Sequence, residues 1–244
     1  MAKKKPRTPT PPRAQAPKRR VEVPGDSLAR HRALLYGISG AGIVALLVIV
    51  LVVALGNGGG ASAKKVAASM SAAGCTFKTV KAYVPPGQGV HVNSLTKKFP
   101  WNTDPPSNGQ HYPLWAVWGF YTDPINPRQV VHNEEHGGVV LWWGPQVPSS
   151  TVNALQSFYQ EQPDGMFGTP YSKLGSKIAI TAWTGNPSEY GKNGYYGQGH
   201  IGTCSSWGPK VQKAFGDFRS AFRGHGPEGI PLSLDKPGMG PTSQ

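Results

Sequence analysis

The sequence predicts an α+β domain with a short-stranded sheet and a few amphipathic helices, preceded by one transmembrane helix. Three observations carry that expectation. Ala33 to Leu55 is a run of twenty-three residues without a charge. Beyond it, β-branched and aromatic runs bounded by Gly and Pro alternate with segments of helical apolar spacing. All seven Trp lie in that second region, and such large side chains can build a core even in a chain with 32 Gly and 24 Pro.

Residues 1–32 are basic and Pro-rich with almost nothing to bury, and read as a disordered cytoplasmic tail. Residues 33–55 suffice for a membrane span, because about twenty helical residues cross the hydrocarbon layer. A cleaved signal peptide would have a shorter apolar region, of about 7–15 residues. Ten Lys/Arg precede the run and only two follow closely, so the positive-inside rule puts the amino terminus in the cytoplasm and the main domain outside the cell membrane. Residues 56–63 read as a linker, 64–232 as the extracytoplasmic domain and 233–244 as a disordered tail.

Within the domain, "AKKVAASMSAAG" is helix-prone and stops at Gly74. Val117–Thr122, Gly138–Gly144 and Lys177–Trp183 read as strands. A helix is expected after Pro148, with a Ser cap and Val152, Leu155 and Phe158 or Tyr159 on one face. Another is expected around Val211, Phe215, Phe218 and Phe222, closed by Gly224.

The net charge of +13 divides unevenly: the first 33 residues hold ten Lys/Arg against two acids, and residues 56–244 hold fifteen against ten. The basicity is mostly a tail, with no stripe or fold signature for nucleic acid, which is excluded as a partner. Cys75 and Cys204 are expected to pair as a disulfide, since an oxidising compartment favours the bonded state.

Six histidines lie beyond the apolar run: His91, His111, His132, His136, His200 and His225. The segment "VVHNEEHGGVV" holds His132 and His136 four apart. In a strand they would stand about 13 Å apart, too far for one ion, whereas on a helical turn they are neighbours at about 5–6 Å. Joint chelation therefore requires a turn, which Gly137-Gly138 makes credible. His132, Glu135 and His136 also spell H-x-x-E-H, a zinc-peptidase motif that needs a long helix and a third acidic ligand such as Glu189 or Glu228. The apolar flanks of the segment look strand-like. His111 ends a Pro- and Gly-shaped turn, and His91 sits in "GQGVHVN". Imidazoles suit copper, zinc or nickel, and Glu134 or Glu135 could orient a ring. His200 reads as part of a Gly-rich loop, and His225 is explained by a helix end. Met166 reads as a loop anchor more than a soft copper ligand.

The chain has "PPSNGQH" at Pro105–His111, "WGFY" at Trp118–Tyr121, "HNEEHG" at His132–Gly137, "AW" at Ala182–Trp183 and "GPE" at Gly226–Glu228. In this it resembles the bacterial membrane-anchored domain-of-unknown-function family 3105, whose members carry "PPTSGPH", "WGxY", "HxLEHG", "AW" and "GPE" in that order. Gln110 replaces the family's Pro, and Glu134 replaces an apolar residue. The resemblance implies that His111, His132 and His136 belong to one recurring design, and it implies no reaction.

The expectation is a single-pass membrane-anchored protein binding a transition metal, copper or zinc, through His111, His132 and His136, with His91 as a fourth candidate and Glu135 as support or ligand. It leans away from catalysis, because no nucleophile or complete acid–base pair stands out. The alternatives are an envelope glycan- or protein-binding module using exposed aromatics, and a metal-dependent hydrolase with an H-x-x-E-H site.

Overall fold

The computed structural model describes residues 60–241. The tail 1–32, the apolar run 33–55 and the start of the 56–63 linker lie outside the described residues. Among the described ones no helix is long and apolar enough to cross a membrane.

Five strands, β1 (Thr76–Lys81), β2 (Val139–Trp143), β3 (Met166–Pro170), β4 (Ile178–Thr184) and β5 (Gln198–Cys204), form one mixed sheet in the order β1-β5-β4-β2-β3. Only β2 and β3 run parallel. Every residue of β2 is buried, and its side chains alternate: Val139, Leu141 and Trp143 enter one core, Val140 and Trp142 another. An apolar run without polar interruption is what a strand covered on both faces requires. Helices α1 (Gly60–Ala72), α3 (Ser149–Glu161) and α4 (Pro209–Phe222) contribute to the first core, through Val66 and Met70, Leu155 and Phe158, and Val211, Phe215, Phe218 and Phe222. Helix α2 (Pro127–His136) lies over the second, with Ala116 and Trp118 from the loop before it. The parallel pair needs a crossover, and α3 is that connection.

Several expectations need correction. Val117–Thr122 is not a strand: it makes a single bridge, Phe120 to Gly168. The backbone of Trp118 is already committed elsewhere, its N–H to Met239 O (2.9 Å) and its O to Gly238 N (2.8 Å). Those bonds also draw in residues 233–241, which are not a free tail: Asp235 is buried, and its carbonyl accepts from Gly165 N at 2.8 Å. At the other end α1 begins at Gly60, inside the expected linker. Helix α3 has Pro148, not a Ser, at its N-cap and no side-chain cap bond. Strands β1, β3 and β5 carry glycines, a proline or several polar residues, and so lack the strand signature. In β5 a Cβ on Gly202 would stand 2.7 Å from Met70 Cε, so the glycine that reads as loop lets α1 lie directly on the sheet.

The "Gly-rich loop" histidine, His200, therefore lies on a strand. Its Nδ1 is 2.9 Å from Thr79 Oγ1 and its Nε2 2.8 Å from Thr184 Oγ1, and its ring stacks on Phe222 at 3.9 Å. Both nitrogens are satisfied structurally, and burial pulls its pKa down to about 3. Cys75, just before β1, is joined to Cys204, the last residue of β5, across 129 residues of chain.

Two outcomes follow from these contacts. The double variant Cys75→Ser/Cys204→Ser is expected to lose roughly 4–5 kcal/mol of stability, the chain-entropy gain of so long a loop. Urea unfolding measures it, and an unchanged midpoint would show that the bond does not constrain the unfolded chain. His200 stays neutral when folded but takes up a proton below about pH 6.5 when unfolded. Stability should therefore be intact above pH 6.5 and fall toward pH 3, and His200→Gln, which keeps an amide near both threonines, should flatten that slope. Parallel slopes for the two proteins would refute the assignment.

Candidate metal centre

Helix α2 is set by its ends. Asn126 Oδ1 accepts from Arg128 N at 3.1 Å, Pro127 occupies the first turn, and Gly137 closes the helix at φ 110°. The flanks of "HNEEH" are thus helical, not strand-like: Val130 and Val131 sit on α2 and are fully buried. Asn133 clamps the helix to the preceding loop, accepting from Ala116 N (3.0 Å) and donating to Ala116 O (2.9 Å). At the C-terminus Gly224 N donates to Gly137 O at 2.8 Å, and a Cβ on Gly226 would fall 2.2 Å from Gly137 N. This close approach, possible only for glycine, carries Glu228 to the end of α2.

Two loops supply the other rings. Val92 N bonds His111 O (2.8 Å) and His111 N bonds Val90 O (3.0 Å), so His91 and His111 stand side by side. Gln110 reinforces the pairing through Gly89 O (3.0 Å) and Gln88 Oε1 (3.1 Å), and Trp101 Nε1 donates to Gln110 O at 2.9 Å. The residue that departs from the resembled pattern thus ties the two histidine loops together.

The result is a triangle of imidazoles. Ring centroids lie 4.8 Å apart for His91–His111, 4.9 Å for His91–His132 and 4.8 Å for His111–His132. Their Nε2 atoms stand 3.0, 2.9 and 3.8 Å, for His91, His111 and His132 in turn, from one atom, Glu135 Oε2. His111 Nδ1 is 2.8 Å from Gly109 O, and His132 Nδ1 is 3.0 Å from Tyr112 O. A carbonyl only accepts, so each Nδ1 carries the hydrogen, and in the neutral ring Nε2 keeps its lone pair. His111 Nε2 is buried and close to Glu135, yet lacks the angle of a hydrogen bond. The other oxygen of Glu135 accepts from the Tyr190 hydroxyl.

The electrostatics follow from this crowding. Burial opposes ionisation of Glu135, but the imidazoles of His111 and His91 hold its carboxyl well below the usual range. Burial, then the nearby His111, drives His132 down to about 3, so His132 is neutral at neutral pH and contributes no positive charge. His91 moves the other way: its hydrogen bond to Glu135 outweighs its burial and raises its pKa. The direct donors to the anion are therefore His91 and Tyr190.

His136 lies next to this triangle rather than inside it. Its ring centroid is 5.0 Å from that of His132, its Nδ1 is 3.2 Å from Asp235 Oδ1 and its Nε2 is 3.6 Å from Glu228 Oε2. Ligand atoms of His91, His111, His132 and Glu135 all lie within 4.8 Å of one another, and His132, His136 and Glu228 form a second such group. The expected His111, His132 and His136 thus divide between two adjoining groups: His91 and Glu135 gather with His111 and His132, and the helical spacing puts His136 one turn along, with His132 and Glu228.

Other expectations are settled by burial. Glu134 points toward Thr181 of β4, and burial pushes its carboxyl pKa well up, so it orients no histidine. His225 and Glu189 are exposed and belong to neither group, and Met166 is sealed in the sheet core. Trp118, Trp142, Trp143 and Trp183 are buried and the other three Trp half-buried, so most of the tryptophans serve the core, while Tyr83 is exposed. Tyr190 and Asp235 were not anticipated. Nothing in their local sequence marks them, because their partners lie 55 and 99 residues away.

No curated protein and no solved structure matches the chain. Residues 91–190 match the family described as "Protein of unknown function (DUF3105)". With His91 at its first residue and Tyr190 at its last, that segment spans the whole imidazole triangle and Glu135, and over it the chain is similar to the DUF3105 family.

Proposed function

We propose that this is a membrane-anchored extracytoplasmic domain that holds a transition-metal ion, copper or zinc, through His91, His111, His132 and Glu135. The observation that carries the reading is the convergence of three Nε2 atoms on one carboxylate oxygen, with two of the rings oriented by backbone carbonyls behind them. Carbonyl-oriented imidazoles are the arrangement metal-binding histidines use. Four ligands at about 2.0–2.1 Å in a tetrahedron are about 3.3 Å apart. The separations of 2.9, 3.0 and 3.8 Å bracket that value. Three nitrogens and one carboxylate suit both zinc and Cu(II). The apolar run 33–55 and the Cys75–Cys204 bond support the placement outside the membrane.

Metal holding is favoured over hydrolysis, although α2 does supply the helix that H-x-x-E-H needs. A general base must be free to take a proton, and both Glu135 oxygens are engaged, Oε1 by Tyr190 and Oε2 by the imidazoles.

Equilibrium dialysis of the purified full-length chain against zinc and Cu(II), with elemental analysis, tests the reading. Wild type should retain metal, and His132→Ala or His91→Ala should weaken retention by about 100-fold or more, since losing a direct ligand costs no less than the roughly 10–100-fold of losing an outer partner. His91 is 38% exposed at its side chain, so its removal should spare the fold. Wild-type protein that retains neither metal at saturation would end the proposal. Tyr190→Phe should weaken binding by roughly 10–100-fold while thermal unfolding of the metal-free protein changes little, because the hydroxyl fixes which Glu135 oxygen is offered. Unchanged affinity would show that Tyr190 only fills space.

A further inference from the structure

We infer that the site holds two metal ions side by side, each in a two-histidine, one-carboxylate set: His91, His111 and Glu135 for one, and His132, His136 and Glu228 for the other. The inference rests on the metal-binding reading and deepens it by moving His132 from the four-ligand set to a second ion.

The geometry divides the ligands this way. His91 and His111 approach Glu135 Oε2 at 3.0 and 2.9 Å, while His132 stands off at 3.8 Å. His132 lies almost as near His136 (5.0 Å between centroids) as it does to the other two rings, and its donor atom also falls within 4.8 Å of donor atoms on His136 and Glu228. One Nε2 lone pair serves one ion, so His132 cannot complete both groups at once. Given to the first ion, it leaves His136 and Glu228 as an incomplete pair. Given to the second, it leaves each ion with three protein ligands.

His136 is built for the second ion in the way that His111 and His132 are built for theirs. Its ring is nearly sealed, with 5% of the side chain exposed, and Asp235 Oδ1 lies 3.2 Å from its Nδ1. A buried carboxylate behind Nδ1 fixes the tautomer and aims Nε2 outward, the carboxylate–histidine–metal pattern. Ahead of Nε2 the nearest polar partner is Glu228 Oε2 at 3.6 Å, too far for a hydrogen bond. Glu228 itself is held in place by Glu228 N donating to Glu135 O (3.4 Å) and by the glycine contact between Gly226 and Gly137. Residues 224–228 thus dock Glu228 on the ligand-bearing end of α2. Two cations also account for two carboxylates, Glu135 and Glu228, on one side of the same helix end. The two sets share a half-open side, where His91 is 38% and Glu228 26% exposed.

Zinc stoichiometry of the purified full-length chain tests this. Wild type should bind two zinc ions per chain, and Glu228→Gln and His91→Ala should each bind one. Glu228→Gln is preferred to a change at His136, whose loss would strand buried Asp235. Loading with Cu(II) gives an independent readout: the doubly loaded wild type should show a coupled, diminished paramagnetic resonance signal, and Glu228→Gln an ordinary single-ion one. One zinc per chain in both wild type and Glu228→Gln would overturn the second position and leave the first standing. No zinc in any protein would overturn the metal-binding reading itself.

Discussion

An ionised carboxylate with no exposed surface is the demand around which this domain is arranged. The Glu135 side chain is fully sealed, and desolvating such a charge costs several kcal/mol unless groups inside the protein compensate it. Compensation comes from far along the chain: the Tyr190 hydroxyl on one oxygen and His91 on the other, with His111 and His132 packed around it. His132 is one helical turn from Glu135 on α2, but Tyr190, His91 and His111 have no local reason to be there. Each stretch that brings one is held by its own buried bonds, such as Gln110 to Gly89 and Asn133 to Ala116. The polar site and the ordering of the long 82–126 connection are therefore two views of one constraint.

The sheet makes that arrangement rigid. Strand β2 and the sheet behind it are packed on both sides, and α2 lies against one of them with Val130 and Val131 anchored in apolar clusters. Trp183 of β4 sits under the site, its ring 5.8 Å from His111. Three of the ionisable groups thus stand on a helix fixed by packing, and the rest on loops fixed by hydrogen bonds. Helix-borne groups are the more precisely held, which suits ligands whose separation has to be right to within tenths of an ångström.

Much of this was legible in the sequence wherever the signal was local. The α+β mixture, β2, β4, α3 and the Phe face of α4 follow from periodicity that survives in the fold. The turn that brings His132 and His136 together was legible as the condition for joint chelation, but the helix around it was not, because its Val-rich flank reads as strand. What escaped was nonlocal. Strand β5 reads as loop because Gly199 and Gly202 are there to admit Asn108 and Met70, a reason that exists only after folding. Val117–Thr122 has the composition of a strand, but the backbone of Trp118 pairs with residues near the C-terminus. His91 is only a fourth candidate from sequence because nothing local ties it to the other rings, and its pairing with the His111 loop is what makes it a neighbour of the site.

The distribution of exposure bears on what kind of metal holding fits. A purely structural ion gains from complete enclosure, because every ligand then also serves the core. Here His111, His132 and Glu135 are buried, while His91 stays at the surface on a loop whose neighbours Gly87 and Gly89 are open to solvent. Gly87 lies at φ 72° with nothing within 4 Å of where a Cβ would be, so the tip of that loop is open, while hydrogen bonds from Gln110 and His111 hold its base. Three members of the cluster are thus buried and one, His91, faces solvent. On the metal reading, that asymmetry argues for a site that exchanges its ion with the surroundings rather than one that locks it in as part of the core.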